Sequence, residues 1–211
     1  MIDTSKDDAF IWFVRNWILG PKERTSRQIF SNYQKHKLPQ LGIAGSDGGI
    51  SIQTIKAINA QMGKLKYFSD PAMGTYDFYN PGDFTQGLVE SGNQAGFPCD
   101  CDDFAGYGVD LARACGINHD FAKYLNIIIH PAQQFTHMAY NHVLCGIEFW
   151  DGKRDKWTAI LDTNSAANGN VLYVPGTFAQ SEQAIINHFN NIYKNQGVNY
   201  YRVIEVKHPF D

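Results

Sequence analysis

Gly96-Phe97-Pro98-Cys99-Asp100-Cys101-Asp102-Asp103-Phe104-Ala105 is the stretch whose reading decides the fold, because a turn passes there directly into a helix. Phe104, Tyr107, Gly108, Leu111 and Ala114 recur at three-to-four-residue spacing, and Gly116 stops the run. The helix therefore begins near Cys101. A thiol in the first helical turn meets backbone N–H groups without intrahelical partners and the positive end of the helix dipole, and both favour the thiolate. Asp100, Asp102 and Asp103 suit a helix start as cap and dipole partners, although their charge partly opposes a thiolate. A cation must tip the balance, and histidine is the usual choice.

Spacing ranks the seven histidines. Residues 141–150 are apolar and β-prone, Asp151-Gly152-Lys153 is turn chemistry, and residues 157–161 are apolar again, which predicts a β-hairpin. Pairing about Gly152 sets Trp150 opposite Arg154 and His142 opposite Asp162. Opposed residues share a face with Cβ atoms roughly 4.5–5.5 Å apart. A carboxylate facing an imidazole holds its tautomer and stabilises the imidazolium, as a cysteine's base requires. His137 would face Ala167 and fails the test.

The Cys101-Asp102-Asp103-Phe104-Ala105 run, the apolar His142-Val143 strand and Leu161-Asp162-Thr163 at the end of the next strand together resemble the transglutaminase-like superfamily of papain-fold cysteine enzymes. The nearest likeness is to bacterial transglutaminase-like cysteine proteinases, with their Gly-Asp-Cys-Glu-Asp-Tyr-Ala motif. Tyr67, Asp70, Gly74, Asp77 and Pro81 resemble the family's approach to its cysteine, and the likeness spans residues 57–164. It implies an α+β papain-like core, with Cys101 as nucleophile, His142 as base and Asp162 as orienting acid. By position the Cys101 N–H is a candidate oxyanion donor, and the resemblance to papain-like enzymes adds the Gln94 side-chain amide, whose alternative reading is an exposed loop residue. Cys99 stands where the family has glycine, which puts a second thiol two residues from the nucleophile.

Each other thiol has a plainer reading. Cys115 and Cys145 lie on apolar faces and are expected in the core, whereas Cys99 is either a redox partner for Cys101 or a bystander. A Cys-x-Cys pair without a second clustered pair is not structural-zinc spacing. Calcium fits better, because Asp100, Asp102 and Asp103 offer hard oxygen ligands and some of the resembling proteinases use calcium near this motif. Helix capping accounts for the same acids, so no cofactor is required and calcium is an alternative.

With 211 residues, 44% of them hydrophobic, the chain can bury one core of ordinary size, and a single domain over 1–211 is expected. Within it, residues 1–50 form a helical extension and 51–211 the catalytic core. A net charge of −3 provides no basic stripe, which argues against nucleic acid or an anionic membrane as partner. The start of the chain has no basic and apolar leader, and the apolar run 10–19 is too short to span a bilayer. A reducing, cytoplasmic setting is the expectation.

The pattern predicts helices over 6–19 and 26–37, a glycine-rich loop over 39–50, and a helix capped by Ser51 with Ile52, Ile55, Ile58 and Met62 on one face. An aromatic connection over 68–81 precedes the cysteine. After the central helix come a strand over 124–130, the hairpin, a helix over 180–193 and a strand over 200–206. Trp12, Phe13 and Trp17 offer a surface for a protein partner.

The reading that follows is a cysteine hydrolase cleaving an amide bond, most naturally in a peptide or protein, through an acyl-enzyme. A transglutaminase would use the same residues with an amine in place of water. A silent transglutaminase-like module in a larger assembly, such as a virus particle, is the alternative from another class.

Overall fold

A computed structural model describes residues 38, 43, 50–68, 82–92, 99–117, 120–129, 141–150, 155–196 and 199–206. The predicted helices over 6–19 and 26–37 lie outside these residues, as do Gln94, His137, Asp70, Gly74, Asp77 and Pro81.

Helix α1, Ile52–Met62, starts where Ser51 accepts the Thr54 N–H at 3.1 Å, and it buries Ile55, Ile58 and Met62. Ile52 is exposed, so the apolar face is narrower than the sequence suggests. Helix α2, Gly82–Ser91, has no counterpart in the sequence reading; Gly87 in its interior costs helical stability. Helix α3, Cys101–Ala114, begins as predicted: Asp100 is its N-cap, and Asp100 and Asp103 complete a capping box.

Five strands follow. They are β1 (Ala122–Ile129), β2 (Asn141–Trp150), β3 (Lys156–Leu161), β4 (Leu172–Pro175) and β5 (Tyr200–Val206). A short helix α4, Thr163–Asn168, leaves the end of β3, and helix α5, Phe178–Ile192, joins β4 to β5. The strands form one antiparallel sheet in the order β4-β3-β2-β1-β5.

Alternation along β2 sorts its side chains between two layers. Val143, Cys145, Ile147 and Phe149 join Phe104, Leu111 and the α1 residues in one core. Leu144 joins Leu125, Ile127 and Ile160 in a second core with Ile185, Ile186 and Phe189 of α5. The sheet is thus covered by α1 and α3 on one face and by α5 on the other. Gly146 marks the close approach of α5: a Cβ there would lie 2.5 Å from Leu125 Cδ1 and 2.6 Å from Phe178 Cε1.

The hairpin register differs from the expectation. Trp150 pairs with Lys156, not Arg154, and the ladder runs to Cys145 opposite Leu161. Residues 151–155 separate the paired ends, so the connection is longer than a tight turn, and longer loops of this kind are common in hairpins. His142 is not directly opposite Asp162; its partner on the other side is Ile127 of β1. The shift moves each partner by two positions, and a shift of two leaves a side chain on its original face. Asp162 therefore becomes a diagonal neighbour of His142 rather than a facing one, a relation still within reach of long side chains.

Candidate active site

The N-terminus of α3 sets the position of Cys101. Asp100, in extended backbone, accepts the Asp102 N–H at 3.4 Å, and the Asp103 carboxylate accepts the Asp100 N–H at 3.3 Å. One residue earlier, Phe68 and Cys99 exchange two backbone hydrogen bonds of 3.0 Å, which ties down the chain entering the helix. Cys101, the first helical residue, is half-buried.

The other thiols are poor nucleophiles for physical reasons. None of the four is in a disulfide, and Cys99 and Cys145 are fully buried. Burial pushes Cys145 up, with Arg113 opposing and Asp110 adding to the shift. Burial also pushes Cys115 up to about 12, and its sulfur donates to the Ile43 carbonyl at 3.3 Å. A thiol in either state stays protonated at neutral pH.

His142, near the start of β2, reaches across to Asp162: its Nε2 lies 3.0 Å from Asp162 Oδ2, with side chains 12% and 5% exposed. Asp162 also caps α4. Its Oδ1 accepts the Ser165 N–H at 2.8 Å, and its own N–H donates to Ser165 Oγ at 2.8 Å. Burial alone would raise the Asp162 pKa. The hydrogen bond and charge of His142, with backbone N–H groups of Ser165 and Asn164, outweigh it and hold the carboxyl below its ordinary value. At neutral pH Asp162 is ionised and can only accept, so Nε2 carries the proton between them.

The C-terminal end of α5 covers this pair. The imidazole meets Phe189 edge-on at 5.5 Å and Tyr193 at 6.4 Å, and Phe189 and Tyr193 stack on each other. Burial raises the Tyr193 pKa, and the charges of Asp162 and Cys101 raise it further. The phenol therefore stays protonated at neutral pH. His188 is pushed down by burial, with Asp162 partly opposing. Asn190 fixes the aromatic group from the side, donating to the Tyr200 carbonyl at 2.8 Å and accepting the Tyr200 N–H at 2.6 Å.

Asp100, Asp102 and Asp103 each offer a carboxylate oxygen, all within 4.8 Å of one another. Hard oxygens at that separation fit a calcium ion, which takes six to eight such ligands, so backbone or water would complete the shell. Of the other singled-out residues, Tyr67 is exposed, and Trp150 is exposed with the Lys156 ammonium 4.9 Å over its ring.

Sequence reasoning missed Phe189, Tyr193, Ser165 and Asn59. Two of them carried a signal. Asp162-Thr163-Asn164-Ser165 has the spacing of a capping box, and Asn59 interrupts the apolar series Ile55, Ile58, Met62 on the buried side of α1.

No family model matches the chain, and no curated protein matches it. Among solved structures, it is similar to Legionella pneumophila LapG. That likeness has a TM-score of 0.35 and 19% identity, covering 56% of this chain and 55% of the LapG chain. EGTA-treated LapG gives 0.34 and 19%, covering 57% and 59%. The matched region spans little more than half the length of either LapG chain. Both likenesses are loose, and the functional reading below rests on the site itself. Among the described residues, no helix is long and apolar enough to cross a membrane.

Proposed function

We propose that the chain is a cysteine hydrolase acting on an amide bond of a peptide or protein, with Cys101 as nucleophile, His142 as base and Asp162 as the acid that orients it. The observation that carries this reading is the 3.0 Å contact between His142 Nε2 and a buried, ionised Asp162. Tyr193 packs against the same imidazole at 6.4 Å, and Cys101 is the first residue of a helix capped by Asp100.

In this mechanism His142 Nδ1 takes the Cys101 proton. The thiolate attacks the carbonyl carbon, and the developing oxyanion is met by the Cys101 N–H at the start of α3. The imidazolium, stabilised by Asp162, gives its proton to the leaving nitrogen as the C–N bond breaks, leaving a thioester on Cys101. Water then attacks the thioester, His142 accepts its proton and returns it to sulfur, and the carboxylic acid departs. An amine entering in place of water would make the same thioester a transglutaminase intermediate.

Calcium bound by Asp100, Asp102 and Asp103 would neutralise carboxylates that otherwise oppose the thiolate next to them. The residues themselves need no cofactor for the steps above.

Iodoacetamide labelling between pH 5 and 9, with each cysteine followed by mass spectrometry, tests the assignment. Cys101 is expected to react first and to stay reactive below pH 7, with Cys99, Cys115 and Cys145 silent. Earlier labelling of any of those three removes Cys101 as nucleophile. Incubation with a peptide library should leave an acyl adduct on Cys101, identifiable by its mass.

A further inference from the structure

We propose that Asn59, 106 residues upstream of Ser165, is a positioning residue for the Asp162–His142 pair and acts on it through Ser165; this rests on the hydrolase reading above. The connection is a continuous series of buried hydrogen bonds. Asn59 Nδ2 donates to the Ser165 carbonyl at 2.8 Å, and Asn59 Oδ1 accepts from Ser165 Oγ at 2.8 Å. Ser165 Oγ in turn accepts the Asp162 N–H, and the Ser165 N–H donates to Asp162 Oδ1. Asp162 Oδ2 then holds His142. Asn59, Ser165 and Asp162 are 2%, 4% and 3% exposed, so water cannot replace a lost partner without opening the site.

The directions of these bonds leave little freedom. Because Ser165 Oγ already accepts from Asp162, its single proton points away, where Asn59 Oδ1 is the nearer acceptor at 2.8 Å and the Asp162 carbonyl lies at 3.0 Å. The amide of Asn59 cannot flip either, since a flip would set its NH2 against the hydroxyl proton and its oxygen against the Ser165 carbonyl. One turn further along, Gly63 lets α1 press onto α4: a Cβ there would lie 2.5 Å from the Ala166 carbonyl oxygen. Helix α1 therefore braces α4 at two points, and α4 carries the capping residue that holds one oxygen of the acid. With that oxygen fixed, the other can point only toward His142.

A purely structural asparagine would join two helices and do no more. The two roles separate in variants of the full chain. Asn59→Ala removes the brace, and Ile58→Val loosens the same helix without touching the network. The readouts are the low-field Nε2–H proton of His142 in protein labelled with 15N-histidine, and the pH profile of Cys101 alkylation.

For Asn59→Ala the expected result is an upfield move of the Nε2–H resonance and alkylation at pH 6 slowed by about 10-fold, the change expected when one buried hydrogen bond of the series is lost. Ile58→Val should leave both as in the wild type. If Asn59→Ala loses thermal stability but keeps the wild-type resonance and profile, the proposal is overturned. Should Asn59→Ala not fold, Ser165→Ala decides by the same two readouts, because it removes the hydroxyl and keeps the backbone N–H on Asp162. If wild-type Cys101 reacts as an ordinary thiol while the resonance still moves in Asn59→Ala, the hydrolase reading falls and the positioning role stands.

Discussion

Asp162→Asn exchanges one carboxylate oxygen for an NH2 group, and the surroundings dictate which. The Ser165 N–H, 2.8 Å from Oδ1, needs an acceptor, so the amide oxygen keeps that place and the NH2 takes the position of Oδ2, 3.0 Å from His142 Nε2. Nε2 must then accept, and the imidazole proton moves to Nδ1, the nitrogen that has to be bare to receive a thiol proton. The imidazolium also loses a charge-assisted hydrogen bond worth about 1.5–3 kcal/mol. At about 1.4 kcal/mol per decade that is roughly a 10- to 150-fold loss of the thiolate–imidazolium pair at a pH where it dominates. Turnover should suffer more, on the order of 10⁴-fold, because the substitution traps the wrong tautomer throughout the cycle. The cap on α4 survives, so the stability lost at neutral pH is limited to what the carboxylate's charge contributes; a loss of about 1 kcal/mol would lower Tm by about 2–4 °C in a chain of this size. Alkylation of Cys101 across pH 5–9 and thermal unfolding measure the two quantities side by side. An unchanged alkylation profile would refute the reasoning, and so would a loss of reactivity accompanied by a fall in Tm beyond about 8 °C.

The same carboxylate makes stability pH-dependent. Its folded pKa lies below the ordinary value, so its contribution is complete above the unfolded pKa of about 4 and is lost as pH falls through the folded pKa; urea unfolding from pH 6 to pH 2.5 should show wild type and Asp162→Asn converging. Asn190→Ala removes both hydrogen bonds to Tyr200 and should cost about 1–3 kcal/mol, read as faster amide exchange at Tyr200. Gly63→Ala sets a methyl against a backbone carbonyl that cannot yield, so about 1–3 kcal/mol of stability should be lost, together with part of the Cys101 reactivity at pH 6. Millimolar calcium should raise the Tm of the wild type by a few degrees, the effect expected of a ligand bound to the folded state alone, and leave that of Asp102→Asn unmoved.

Short-range chemistry was legible in the sequence. Helix α3 starts at Cys101 because Asp100, Asp102 and Asp103 carry local capping information, and Ser51 announces α1 in the same way. The strand Tyr200–Val206 lies where β-branched and aromatic residues place it. The His142–Asp162 contact was also legible, but through parity rather than register: the hairpin loop is longer than assumed, and an error of two positions leaves the facing relation on the same side of the sheet. Helix α2 was hidden by its glycines, which argue against a helix whatever packs on it. Asn59 and Tyr193 escaped for another reason. Their importance comes from partners far along the chain, and one sequence carries no record of which buried polar residue will meet which.

The Asn59–Ser165 bonds also bear on the order in which the protein becomes itself. They join residues 106 apart, and closing a loop of that length costs about 4 kcal/mol of chain entropy before any contact offsets it. Helix α3 needs only local contacts, whereas the clamp on the acid needs α1, the hairpin and α4 together. On the hydrolase reading, the pair that serves Cys101 is complete only once that closure is made.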